Sequence, residues 1–384
     1  MNIIRNRLAA LVAFAALGLA FAPAAFADMK AYNAAVKAGD YKTASQEAKG
    51  VWSSWDKSKP ETATVAREFG FAALVAGDNE AARDFGRFLV EKGALLATPD
   101  DQPLVSAVLF RAADYKISRK PPALAALREA LSARTAAQGV DMTTVLSWEL
   151  LYTSDWNTGA FDDVDADSAA AAGYFARSPQ LKPRQRDAEI YSAAGSFLGG
   201  RNRLAQSKNS FYSEMADLHD KITADIDAAT PAGAAQLWPL KWRAEAWTDA
   251  MWSYLSSTYE QVGSLTKTRI EERKLTEPRL AQFEEDAGAA AIPVCKGKWE
   301  GVSNLHYPPS KQFHGAVGSV IVNLRTDASG KVIKVDTLAA IPADVFAQTV
   351  VENASKWTFK PDAGEANCRL NSNNRFFKAV FVIG

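Results

Sequence analysis

The spacing of apolar residues changes once along this chain, and that change limits its folds more than any other feature. Residues 30–290 read as helix after helix, rich in alanine and poor in strand-like alternation. In the last ninety or so residues a period of two takes over. Val320, Val322 and Leu324 fall on one face of a strand, with Ser319, Ile321, Asn323 and Arg325 on the other. Residues 327–330 supply hairpin-turn chemistry, with Gly330 suited to the left-handed position. A second strand follows at residues 332–338. A helix begins near Pro342, and Phe346, Val350 and Ala354, backed by Ala347 and Val351, give it one apolar stripe. Trp357 and Phe359 then enter the core as the chain extends toward Pro361. A last strand over 376–383 alternates Phe377, Ala379, Phe381 and Ile383 against Phe376, Lys378, Val380 and Val382. The expectation is an all-α region followed by a small α+β domain, its helix packed on an antiparallel sheet.

Two segments of the helical region repeat each other. Residues 34–44 and 72–82 share an Ala-Gly-Asp core with an alanine five residues after the glycine, Ala44 in one and Ala82 in the other. In such a turn the glycine ends one helix with positive φ, and the alanine lets the next helix pack closely. The pattern resembles the tetratricopeptide repeat. Further helical pairs are expected at 104–115 with 123–137 and at 143–152 with 168–175. Residues 184–197 and 211–228 continue the pattern, and a long aromatic-rich helix is expected at 237–259. An α-solenoid of about four pairs is the expected architecture, with an irregular helical bundle as the alternative.

The chain ends predict export. Arg5 and Arg7 precede an apolar run from Leu8 to Ala22, Pro23 breaks it, and Ala25-Phe26-Ala27 is a small-x-small cleavage site. As a helix the run rises only about 22 Å, short of a hydrocarbon core of about 30 Å. The expected organisation is a cleaved signal peptide over 1–27, a helical domain over 28–289, and a C-terminal domain over 293–384. The mature chain is expected in the periplasm with no membrane span. An oxidising compartment favours pairing the two cysteines, Cys295 and Cys368. Such a bridge closes a loop of about seventy residues, worth roughly 4 kcal/mol in the chain-entropy account; two free buried thiols are the alternative. Lysine plus arginine and aspartate plus glutamate both number 44, a balance that argues against a dedicated nucleic-acid binder.

In the C-terminal region, Tyr307-Pro308 leads to Gly315 and Gly318, then to the strand, turn and second strand. The run Trp357-Thr358-Phe359-Lys360-Pro361 and a closing strand follow. This order and spacing resemble the C-terminal domain of the TonB family over residues 307–384. The resemblance implies a non-enzymatic domain without cofactors. It implies binding to an outer-membrane transporter or another envelope protein by strand addition at a sheet edge. Carried onto this chain, the pairing strand holds Phe376, Phe377, Lys378, Ala379, Val380, Phe381 and Val382, with Lys378 or Val380 tuning specificity. Energy transducers of the family keep an uncleaved anchor and a proline-rich spacer. This chain shows no such spacer, and Ala339-Ala340 stand where the family has Ser-Ser-Gly. The first reading is therefore a periplasmic adaptor; an energy transducer with an uncleaved N-terminal anchor is the alternative.

Other constellations carry less chemistry. Trp238, Trp242, Trp247 and Trp252, with Tyr254 and Tyr259 beyond, form either a binding hot spot or core filling between helices. Asp163, Asp165 and Asp167 have the spacing that opens a calcium loop. Ser168 stands where that loop needs glycine and Tyr174 where it needs glutamate, so a solvated loop or helix cap around Asp162 is expected. His219, His306 and His314 sit in no nucleophile, zinc or phosphate motif. No metal site is expected, since no histidine or carboxylate cluster completes a ligand set around the cysteines.

Overall fold

The computed structural model describes residues 27–92, 102–200, 208–262, 272–277, 292–302, 305, 317–341, 344–365 and 367–381. The apolar run before Ala27, together with His306, His314 and Val382, lies outside them. The chain divides into two compact units, Met1–Gly159 with Ala170–Pro179, and Ala160–Ala169 with Gln180–Gly384.

The first unit is helical. Its elements are α1 (Ala27–Lys37), α2 (Tyr41–Ser54), α3 (Thr62–Ala76), α4 (Asn79–Lys92), α5 (Gln102–Ser118), α6 (Pro121–Gln138) and α7 (Met142–Thr158). The two copies of the Ala-Gly-Asp turn fold alike. Gly39 and Gly77 take φ of 73° and 80°, values that cost a side chain with a Cβ. The aspartate after each glycine caps the next helix. Asp40 accepts from the Thr43 amide at 3.1 Å, and Asp78 from the Ala81 amide at 3.3 Å. Ala44 and Ala82 are both fully buried, as close helix packing requires. Asp78 also ties α2 to this turn through Ser45 and Lys49. Burial alone would raise the Asp78 carboxyl, but these hydrogen bonds outweigh it and hold it below the usual range. Edge-to-face contacts among Trp52, Phe69 and Phe85 fill the space between α2, α3 and α4. Pro121 and Pro122 are the opening residues of α6, where a missing N–H costs nothing.

Helix α8 (Phe161–Phe175) contributes its N-terminal half to the second unit and its remainder to the first. The acidic run from Asp162 to Asp167 is thus helical rather than a loop. Asp162 and Asp163 lie in its first turn, where carboxylates favour the helix dipole. Asp165 accepts hydrogen bonds from Ser192 and Ser196.

The second unit continues with α9 (Lys182–Gly199), α10 (Lys208–Ala228) and the long α11 (Pro231–Val262). Then come β1 (Gly297–Glu300), β2 (Gly318–Thr326), β3 (Val332–Ile341), α12 (Asp344–Ala354), β4 (Thr358–Pro361) and β5 (Ser372–Phe381). The main sheet is antiparallel with order β3-β2-β5, and β1 pairs with β4 in a separate two-stranded ribbon. The hairpin turn between β2 and β3 is closed as expected. Gly330 has φ of 81°, and the Asp327 carboxylate accepts from the amides of Ser329 and Lys331. One face of the sheet builds a core from Val320, Val322, Leu324, Phe346, Val350 and Trp357, joined by Ala379 and Phe381. The stripe of α12 thus packs on the hairpin, as expected, and does so on the Val320, Val322 and Leu324 face. The other face is also covered: α11 packs across β2, β3 and β5, and Ile321 is fully buried beneath it.

Candidate docking edge

Strand β5 is the last in the sheet order, with β2 as its one partner among the described strands. Its register against β2 runs unbroken from Arg375 opposite Leu324 to Phe381 opposite Gly318; the one irregularity lies earlier, between Ser372 and Arg375. Pairing Val322 with Phe377 and Val320 with Ala379 sets those side chains toward α12. Phe376, Lys378 and Val380 therefore take the face that α11 covers.

Helix α11 meets that face with charge and aromatic rings. Lys378 Nζ lies 2.5 Å from Glu245 Oε1 and 3.3 Å from Asp249 Oδ2. Glu245 Oε2 is also 2.5 Å from Lys241 Nζ and 3.6 Å from His219 Nε2, while His219 Nδ1 is 3.2 Å from Asp220. Glu245 and Lys241 are both buried, so water does little to screen that pair, whereas Lys378 is partly exposed. Burial pushes the Glu245 carboxyl up. His219, Lys241 and Lys378 overcome that push and hold it far below the carboxylate range. Asp249 has fewer compensating partners, and burial pushes it up to about 6. Burial would lower Lys378, but Asp249 and Glu245 raise it.

An aromatic stack runs alongside. Trp238 and Trp242 stack with ring centres 6.0 Å apart, and Trp242 stacks on Phe376 at 5.3 Å. Lys241 Nζ stands 3.8 Å above the Trp242 ring, a cation–π contact. Trp238, Trp242 and Trp247 are all buried, which places them in the interior of this unit. Phe376 and Val380 remain 46% and 38% exposed.

The approach to β5 is fastened covalently. Cys295 and Cys368 form a disulfide with Cα atoms 4.8 Å apart. Beside it the Cys295 amide donates to Arg369 O, the Arg369 amide to Pro293 O, and Arg375 Nη1 to Cys295 O. The sequence marked the two cysteines but missed β1, whose four residues pair with a strand far along the chain. It also missed Glu245 and Asp249, which carry no motif.

The opposite edge, β3, differs. Its pairing with β2 shifts register twice, near Ile321 and near Arg325. Lys334 and Arg325 both reach Asp336. The Val332 amide donates to Trp357 O at 3.1 Å. Among the described residues, no group of three His, Cys, Asp or Glu side chains is placed to hold a metal, and no helix is long and apolar enough to cross a membrane.

Residues 303–374 match the family model described as Gram-negative bacterial TonB protein C-terminal, about a fifth of the chain. That family consists of periplasmic domains that bind envelope proteins and carry out no catalysis. The match ends at Asn374, so most of β5 lies beyond it. No curated protein and no solved structure matches the chain.

Proposed function

We propose that this protein is a non-catalytic adaptor of the bacterial periplasm that captures an extended segment of an envelope protein along β5. In this reading residues 1–27 are a cleaved export signal. The helical region over 28–289 holds a second partner, and the domain over 293–384 performs the capture, in a process linked to outer-membrane transport. The capturing residues are Phe376 to Phe381, continued by Val382.

The observation that carries the reading is the contrast between the two sheet edges. A regular edge offers evenly spaced N–H and C=O groups to an incoming strand. β5 keeps one register from Arg375 to Phe381, whereas the pairing of β3 shifts register twice; both edges carry charge, Lys378 on β5 and Lys334 with Asp336 on β3. Bulges are a device that discourages pairing. Affinity then comes from main-chain hydrogen bonds, and side chains select among partners.

Photo-crosslinking tests the reading directly. A crosslinking amino acid replaces Val380 on β5 or Ile333 on β3, and each full-length protein is irradiated in intact cell envelopes. Adducts to an envelope protein from position 380 and none from 333 are the expected outcome. Adducts from 333 alone would move the docking edge to β3.

A further inference from the structure

The structure also constrains what can lie against β5. We infer that β5 selects an extended segment with two apolar side chains four residues apart and no carboxylate on the residue midway between them. This rests on the strand-addition reading above.

Strand addition sets each incoming side chain opposite one residue of the edge, with Cβ atoms about 5 Å apart. Residues i, i+2 and i+4 of the partner then oppose Phe376, Lys378 and Val380 on the α11 face. Phe376 and Val380 keep 46% and 38% of their surface exposed although α11 covers this face. Apolar partner residues opposite them remove that surface from water. Phe376 is already held by its stack on Trp242, which is itself stacked on Trp238, so little side-chain freedom is lost on binding.

The middle position follows from charge. Lys378 is the one cation among these three residues, and two carboxylates of α11, Glu245 and Asp249, already compensate it. Lys241 also pairs with Glu245, so the cluster is balanced, and an acidic partner residue opposite Lys378 loses its own hydration while gaining little from an ammonium already held by Glu245 and Asp249. The required pattern reads the same in either chain direction, so it holds for parallel and antiparallel pairing alike.

The test uses the full-length protein and three fluorescent synthetic peptides, each about nine residues of a serine–threonine frame. The first has valine at its third and seventh positions and serine at the fifth. The second differs by aspartate at the fifth. The third has valine at the fourth and sixth. Anisotropy titrations run to about 1 mM protein, a range that captures weak binding. The first peptide is expected to bind about tenfold more tightly than the second and about fivefold more tightly than the third. In Glu245→Gln/Asp249→Asn the penalty for aspartate is expected to vanish or reverse, because Lys378 is then uncompensated. Asp249→Asn alone, a milder change, is expected to reduce the penalty by part of that amount, which keeps the test open if the double variant does not fold.

Equal binding of all three peptides overturns the selection rule while leaving strand addition in place. A penalty for aspartate that persists in a folded carboxylate variant overturns the role given to Glu245 and Asp249. Failure of every peptide to bind removes strand addition at β5, and the selection rule with it.

Discussion

The two edges of the β3-β2-β5 sheet are made of the same backbone yet invite different company. β3 shifts register against β2 at two points, carries Lys334 and Asp336, and has its first amide tied to Trp357. β5 runs straight from Arg375 to Phe381, rests on α11, and is fastened at its start by a disulfide. Position at the rim is therefore only half of what makes an edge available. On the reading proposed above, regularity of register decides the rest.

The largest test of this contrast is removal of the disulfide. Cys295→Ser with Cys368→Ser is expected to cost about 4 kcal/mol in urea unfolding. Amide exchange is expected to speed up in β5 more than in β3; equal acceleration of both edges would erase the difference in their anchoring.

Next in size is a pH effect beneath β5. Asp249 binds its proton more tightly folded, with a value of about 6, than its ordinary 3.8. Between these values the folded state holds a proton that the unfolded chain has released. Stability from this group is therefore present at lower pH and lost as pH rises from about 4 to about 6, by about 3 kcal/mol. Glu245 has the opposite sign, losing stability as pH falls below its ordinary 4.5. Unfolding of Asp249→Asn across this range should lack the loss between pH 4 and 6; a retained loss would assign it to another group.

Proline substitutions sharpen the comparison at the rim. Adjacent strand residues direct their N–H groups to opposite sides, so one of Ala379→Pro and Val380→Pro removes an outward donor. That variant is expected to weaken capture of the crosslinked partner at least tenfold, a difference of about 1.4 kcal/mol, while keeping its melting temperature. The other should lose stability instead. Unweakened capture in both would place the docking edge elsewhere.

The smallest effect is expected on β3. Ile333 is 65% exposed, yet Ile333→Lys and Lys334→Ala should change partner affinity less than about twofold. A larger change in the same assay would give β3 a share in docking.

Much of this was legible in the sequence, and the parts that were not share a cause. Alternation in β2 and β5 sorted the residues into the two faces that the structure shows, Val320 and Ala379 together on the side of α12. The Ala-Gly-Asp turns were legible because a glycine with positive φ and a capping aspartate are local signals. The cover that α11 lays on the sheet was not legible. Trp238, Trp242 and Trp247 mark a buried helix but do not say what it is buried against. Lys378 or Val380 was expected to tune specificity, and the alternation says nothing of the charges nearest Lys378, which stand more than a hundred residues earlier on Glu245 and Asp249. Pairings of that range come from tertiary packing, which no window of sequence contains.

The bond between Cys295 and Cys368 also sets how the domain bears mechanical load. A tug on a strand held by β5 reaches Cys368 within a few residues and passes by a covalent link to Cys295. That covalent path does not pass through the β2–β3 hairpin or α12, which lie in the 73-residue interval that the bond spans. Load on β5 is shared with β2 through their pairing, and the disulfide adds a covalent route to the polypeptide ahead of β1 that does not run through the rest of that interval.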